Sequence, residues 1–187
     1  MNSSEDLISR SRAGDQEAFR LIFERYARPV LSFIYDLVGQ RDLAEELTQE
    51  TFVRAFKSLN SIRDETKLAS WLFGIGRNVA REAIRARLRD NQTFLEVGPS
   101  DAQLRNGAQV SPAQNLLDKE LSLAMHNALA LLDEDRRVVF VLKVFRQFSY
   151  HEIMDVTGFT LAKVKTDLHR ARCEVRRRLG PFLEADR

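Results

Sequence analysis

The sequence predicts an all-α fold of two small helical domains joined by a flexible linker. Apolar residues recur at helical spacing along nearly the whole chain, capping residues mark several helix starts, and no stretch sustains the alternation of a half-buried strand. A chain of 187 residues suffices for one domain or two small ones. Apolar residues at 44% supply a core, and 30% charged residues of both signs exclude the composition of a disordered tail.

The first periodic segment places Phe19, Ile22, Phe23 and Tyr26 at i, i+3, i+4 and i+7. Asp42 with Glu45 has capping-box spacing and predicts the start of the next helix. Leu68, Trp71, Leu72, Ile75 and Val79 repeat the helical stripe. From Asp90 to Ser111 the periodicity lapses and Gly98, Pro99 and Gly107 gather among polar residues, which predicts a linker over 91–110 between domains at 1–90 and 111–187. Ser111, Pro112 and Gln114 then combine an N-cap, a proline at the first helical position and a capping-box partner. That helix is expected to bury Leu117, Leu121, Ala124, Ala128 and Leu131.

The run from Val138 to Phe145 is rich in β-branched residues, yet Val138, Val141, Leu142 and Phe145 fit one helical face, and the helical neighbours decide for helix. Ser149 and Glu152 form a second box, Gly158 stands where a left-handed residue ends the short helix, and Thr160 caps a longer one with Leu161, Val164, Leu168, Ala171 and Val175 inside. Short helix, tight turn, long helix is a helix-turn-helix pattern.

Charge is sorted by segment. The whole chain is near neutral at +2, but 36–50 carries a net −4, 77–89 a net +4 and 160–178 a net +5. The acidic segment, with Glu45, Glu46, Gln49 and Glu50 turned away from the Leu47 and Phe52/Phe56 side, suits docking on a basic protein surface. The arginine helix beside the aromatic SWLFGIGRN text suits single-stranded DNA, whose bases stack on rings while arginines follow the backbone. The last basic helix suits a major groove. No apolar run approaches the ~20 residues needed to cross a bilayer. The polar, acidic N-terminus lacks a secretory pattern and the lone Cys173 has no internal partner, so a reducing, cytoplasmic setting is expected.

Four ordered motifs, GDQEAFRLIFERYARPV, DLAEELTQETFVRAF, SWLFGIGRNVAREAIR and FSYHEIMDVTGFTLAKVKTDLHRARCEVRRRL, make the chain resemble bacterial sigma factors of the extracytoplasmic function (ECF) type, within the sigma-70 family. The resemblance implies sigma domains two and four without domain three. It implies that Asp42, Glu45, Glu46, Gln49 and Glu50 dock on the β′ clamp helices of core RNA polymerase. It places Ile62, Arg63, Trp71, Arg77, Asn78 and Arg81 at the melted minus-ten element, where a flipped base is captured. Lys163, Lys165, Thr166, His169, Arg170 and Arg172 fall at the minus-thirty-five element. Asp167 stands where the family text is often basic, so it is expected to repel one phosphate, with Lys163 compensating. The proline often found before the domain-four helix pair is replaced by Asp133 and Glu134, expected to cap that helix. A further contact with the β flap is expected through Leu142 to Phe148 or the helix that scaffolds them, and control by an anti-sigma partner is implied.

No enzyme site is legible. HEIMD at His151 misses the zinc-protease pattern at Asp155, the three histidines lack ligand-spaced partners, and no phosphate loop or nucleophile elbow occurs, so neither metal nor cofactor is expected. The other reading of the same motifs is a stand-alone helix-turn-helix regulator that acts without polymerase.

Overall fold

The computed structural model describes residues 4–89 and 112–184, and every regular element among them is helical. The α-helices are α1 (Ser4–Arg12), α2 (Gln16–Val38), α3 (Arg41–Lys57), α4 (Leu68–Arg89), α5 (Pro112–Ala130), α6 (Glu134–Phe140), α7 (Tyr150–Thr157) and α8 (Leu161–Glu184), with 3₁₀ turns at Leu59–Ser61 and Glu65–Lys67 and a π turn at Val141–Phe145. The expected linker at 91–110, the expected cap at Ser111 and the side chain of Leu117 lie outside what is described.

In the N-terminal half, Asp15 caps α2 by accepting from the backbone N–H of Glu17 at 3.0 Å and Ala18 at 3.2 Å. Gly39, at φ 73°, ends that helix by donating to the Tyr35 carbonyl at 2.8 Å. The capping box expected at Asp42 and Glu45 does not form. The helix begins one residue earlier, at Arg41, with Gln40 as an N-cap that makes no side-chain bond. Asp42 therefore already lies in the first turn, where its charge favours the helix N-terminus, and Glu45 pairs with Arg41 at 2.9 Å instead. α2, α3 and α4 enclose Ile22, Val30, Phe33, Ile34, Leu72 and Ala80. Gly76 lets α4 lie close on α2, since a Cβ there would sit 3.6 Å from the side chains of both Ile34 and Val30.

In the C-terminal half, the β-rich run is helical throughout. α6 passes at Val141 into one π turn, Val141–Phe145, and Gln147 then takes a left-handed φ of 61°. Asp133 is the N-cap of α6 by position, but its side chain makes no cap bond and pairs with Arg136 at 3.0 Å, so the expected carboxylate cap is not made. The Ser149–Glu152 box forms in both directions, at 2.7 and 3.2 Å. Thr160 accepts from Lys163 N–H at 3.3 Å to start α8. Val164, Leu168, Ala171 and Val175 are buried as the spacing predicts. The inner face of α5 agrees with expectation at Ala128, which is buried, but Leu121 and, just past the helix, Leu131 are exposed, while His126, Leu129 and Leu132 are buried instead. The difference comes from α2, which packs on α5 from the other half and takes in a polar residue, His126, that apolar periodicity passes over.

The two halves share one continuous core across α2 and α4 on one side and α5, α7 and the π turn on the other. Phe73 of α4 contacts Phe33 within its own half and Phe148 across the seam, with ring centroids 5.0 and 4.9 Å apart. Arg137 donates to the Leu37 carbonyl at the end of α2 at 2.7 Å and to the Ala130 and Leu132 carbonyls at 2.8 and 3.1 Å. One guanidinium thus serves carbonyls that two helix ends leave open. Burial pulls its pKa below the usual arginine range.

Asp36 is the polar centre of the seam. Its side chain is fully buried, accepts from Arg146 Nη2 at 2.8 Å, and has His126 Nε2 3.7 Å away, while Arg146 also donates to Ser32 Oγ at 2.6 Å. Gly158, at φ 71°, turns α7 into α8, and a Cβ there would meet no atom within 4 Å. Gly158→Ala should therefore cost about 1–2 kcal/mol through backbone strain alone. Urea unfolding of the full chain measures this; an unchanged midpoint would show that the turn relaxes out of the left-handed region.

Candidate functional site

Three charged surfaces emerge. On α3, Asp42, Glu45, Glu46 and Gln49 are exposed or nearly so, and Glu50 is half-buried and accepts from Arg54 Nε at 2.7 Å. Arg54 also meets Glu82 of α4 at 2.8 Å, and the hydrogen bonds it donates to both carboxylates, Glu50 first, raise its pKa. Asp36 contributes to the segment's negative charge but points into the seam, so it is no part of this face. Phe56 departs from expectation: Phe52 is 4% exposed and Phe56 is 55% exposed, although i, i+4 spacing puts them on one side of the helix. α2 meets both, through Phe23 against Phe52 and Phe19 against Phe56, but only the first is closed over. Phe56 stands edge-on to Phe19 at 5.0 Å, and with Val53 and Phe23 it forms an exposed apolar border to the acidic face, although sequence periodicity puts Phe23 and Phe56 on inner sides.

The residues expected at single-stranded DNA divide into three groups. Arg63 and Asn78 reach solvent, and Asn78 lines an open cleft of about 420 Å³ between α3 and α4 with Arg54, Lys57, Ser58, Ile75 and Glu82. Ile62 is core, only 5% exposed, with its carbonyl held by Arg12 Nη2, which corrects its placement at an outer contact. Trp71 is half-buried and packs against the core. Arg77 and Arg81 face the C-terminal half. Arg77 is 7% exposed with its guanidinium 5.3 Å from the centroid of the Phe159 ring, and Arg81 Nε lies 2.9 Å from Glu134 Oε1. Burial first, then the neighbouring charge of Arg81, lowers the Arg77 pKa.

On α8, Lys165, Thr166, His169, Arg170 and Arg172 lie exposed along one helix. Lys163 does not extend that row freely: its Nζ bridges Asp167 at 2.7 Å and Asp135 at 3.0 Å and sits 4.4 Å from the Phe159 ring centroid. Asp167 is 7% exposed and turned inward, which corrects the expectation that it faces a phosphate. Adjacent positions on a helix point about 100° apart, so Asp167 next to an outward Thr166 faces α6 and its Asp135–Lys163 pair. Hydrogen bonding to Asp167 raises the Lys163 pKa. The Leu142 to Phe148 region turns its apolar side to the seam, with Leu142 fully buried.

Among the described residues no group of three His, Cys, Asp or Glu side chains is placed to hold a metal ion, and no helix is long and apolar enough to cross a membrane.

Known proteins match both halves in order. The family model for sigma-70 region 2 matches residues 22–90 and that for sigma-70 region 4 matches residues 122–173. RNA polymerase sigma-H factor of Pseudomonas aeruginosa is 28% identical over 184 residues, covering 96% of this chain and 95% of its own. The ECF RNA polymerase sigma factor SigW of Bacillus subtilis is 28% identical over 176 residues, covering 92% of this chain and 94% of its own. Among solved structures, the sigma factor RpoE of Bartonella quintana, in complex with the anti-sigma factor NepR, has a TM-score of 0.69 at 23% identity over 87% of this chain and 96% of its own. CnrH in complex with the cytosolic domain of CnrY has a TM-score of 0.66 at 23% identity, covering 97% of each chain.

The Lys163–Asp167 pair gives a pH-dependent expectation. A lysine pKa raised on folding contributes stability below its unfolded value near ~10.4, and that contribution is lost as pH rises through the folded value. Asp167→Asn should therefore be less stable than the wild type at pH 7, with the difference shrinking above about pH 10.5. Denaturant midpoints at both pH values check this; a constant difference would mean that Asp167 acts by packing rather than by charge.

Proposed function

We propose, for a chain that belongs to the sigma-70 family as a factor of the ECF type, which of its surfaces meets which partner. The factor binds core RNA polymerase and directs transcription initiation. The observation that carries the assignment of surfaces is the segregation of charge: an outward acidic face on α3, an arginine-bearing α4, and an outward basic row on α8. Asp42, Glu45, Glu46, Gln49 and Glu50 dock on the β′ clamp helices, and exposed Phe56 and Val53 supply the apolar part of that contact. An interface of this kind has an apolar centre within a charged rim, which exposed carboxylates alone do not supply.

Arg63 and Asn78, with Arg77 and Arg81 once freed, follow the single strand at minus ten, and Trp71 supports them from the core. Lys165, Thr166, His169, Arg170 and Arg172 enter the major groove at minus thirty-five, where arginine and lysine reach guanine edges and phosphates. Lys163 positions α8 through Asp135 and Asp167. Its ammonium is already engaged, so it is the weakest member of the row toward DNA. The chain acts in the cytoplasm, uses no metal or cofactor of its own, and leaves phosphodiester chemistry to the polymerase. The relatives crystallised with anti-sigma partners support a partner of the same kind here. The flap contact falls to the C-terminal half.

The test is reconstitution. Core polymerase with this chain should start transcripts from promoters that core alone ignores, and sequencing those transcripts gives the promoter elements. Specific binding of the free chain to duplex operators, with no transcript on addition of core, would falsify the assignment. Lys165→Ala and Arg170→Ala should each weaken use of the minus-thirty-five element by about 1–3 kcal/mol for every bidentate pairing with a base that is removed. Unchanged promoter selectivity in both variants would remove α8 from that role. Glu46→Lys should lower core affinity in a titration while leaving the fold intact, since Glu46 is exposed.

A further inference from the structure

The segment that joins α3 to α4 is irregular, and its backbone is held from outside. Its internal ties are the Ser61 N–H to the Ser58 carbonyl at 2.8 Å, the Ile62 N–H to Leu59 at 3.4 Å and the Lys67 N–H to Asp64 at 3.0 Å. Carbonyls in such a segment need donors from elsewhere or from water. Arg12, the last residue of α1, donates Nε to the Leu59 carbonyl at 3.4 Å and Nη2 to the Ile62 carbonyl, and its Nη1 pairs with Glu65 at 2.6 Å. The two carbonyls lie 47 and 50 positions along the chain from Arg12. α1 is itself fixed, because Leu7 and Ile8 are buried in the core and Arg10 meets Asp15, the cap of α2, at 2.8 Å.

The three contacts fall on residues 59, 62 and 65, one in every three. Leu59 and Ile62 are buried, while Ser61, Arg63, Asp64 and Thr66 between and beside them are exposed. Holding the inner positions therefore sets where Arg63 stands. The same segment continues directly from Lys57 and Ser58, which line the cleft that holds Asn78. Arg63 and the α3 wall of that cleft both follow its placement.

We propose that Arg12 is a positioning residue for promoter opening: it staples residues 58–67 to α1, so that Arg63 and the cleft meet the single strand in one fixed geometry. The staple rests on the single-strand role given above to Arg63 and Asn78. Nε, Nη1 and Nη2 of Arg12 are each engaged within the protein, so its part is geometry and not contact with DNA. A loose segment has to be ordered as the bases unstack, which opposes binding, and it offers the same side chains to right and wrong bases alike. A staple removes both defects before the strand arrives. Lysine cannot take the place of this arginine, because a single ammonium lacks the planar fork that reaches two carbonyls and a carboxylate together.

The experiment compares Arg12→Ala, Arg12→Lys and Glu65→Gln with the wild type as full chains, free in solution and with core polymerase. In the free chain, hydrogen exchange at the Ser61, Ile62 and Lys67 amides should quicken in Arg12→Ala by about fivefold or more, the equivalent of one lost hydrogen bond. The urea midpoint should hardly move, since Leu7 and Ile8 still anchor α1. Glu65→Gln keeps both carbonyl bonds and should loosen the segment less. With polymerase, a promoter library randomised at minus ten should be discriminated about fivefold less sharply by Arg12→Ala. Arg12→Lys should not restore that discrimination. Core affinity and selection from a library randomised at minus thirty-five should match the wild type in every variant.

Full recovery in Arg12→Lys would overturn the staple, because charge alone would then suffice. So would a log–log salt dependence of single-strand binding that is shallower by about 0.7 in Arg12→Ala, the mark of one phosphate contact made by Arg12 itself. A parallel fall in core affinity and minus-thirty-five use would show general damage and overturn it as well. Arg63→Ala and Asn78→Ala separate the staple from the reading beneath it. If either blunts minus-ten discrimination while Arg12→Ala does not, the single-strand assignment stands and the staple falls. If neither does, the assignment falls and takes the staple's role in opening with it.

Discussion

One buried ion pair organises the relation between the two halves. Asp36 sits on α2 among Ile34, Tyr35, Leu37 and Val38, with none of its side chain exposed, and its charge is matched by Arg146 from the far half. A carboxylate in that position is costly without its partner, so the seam closes with Arg146 in place or does not close. Around the pair, Ser32 supplies a second acceptor to Arg146, and His126 packs edge-on against Tyr35 at 4.9 Å. His126 is buried in this contact, while Leu121 of α5 and Leu131 just past the helix stay exposed.

Neighbouring features are arranged by this closure. The π turn at Val141–Phe145 and the left-handed Gln147 bring Phe148 over Phe73, and the next residue, Ser149, caps α7, which lies along α4. Arg137 joins the end of α2 to the end of α5 through three backbone carbonyls. None of these contacts lies on the outward faces of α3 or α8. The α3 face assigned to the polymerase and the α8 row assigned to duplex DNA are therefore independent of the seam, whereas the surface assigned to the single strand and the Leu142 to Phe148 region are entangled with it.

The near-neutral charge of the chain has a structural meaning. Opposite charges meet across the two halves at Asp36 with Arg146, Lys67 with Asp155 and Arg81 with Glu134, while Lys163 meets Asp135 and Asp167 within the C-terminal half and Arg41 and Arg54 meet Glu45, Glu50 and Glu82 within the N-terminal half. The rest of each patch stays outward, which keeps long-range attraction available to two kinds of partner of opposite charge.

Much of the fold was legible in the residues because its signals are local. The Ser149–Glu152 box, Gly158, Thr160 and the inner stripe of α8 depend on spacing within one or two turns, and the structure forms them accordingly. The family motifs were equally plain, since four of them in order constrain one another. What the sequence could not determine was which sides of helices meet. Phe52 is closed over and Phe56 is left open although α2 touches both; Asp167 turns inward because Asp135 and Lys163 await it; Ile62 enters the core while Arg63 stays out. Arg77 and Asp36 carry charges that a linear reading assigns to solvent, and only the packing of two distant segments, 110 residues apart at the Asp36–Arg146 bond, decides that they are buried. Periodicity fixes the face of a helix relative to its own axis, whereas burial is fixed by the partner laid against it.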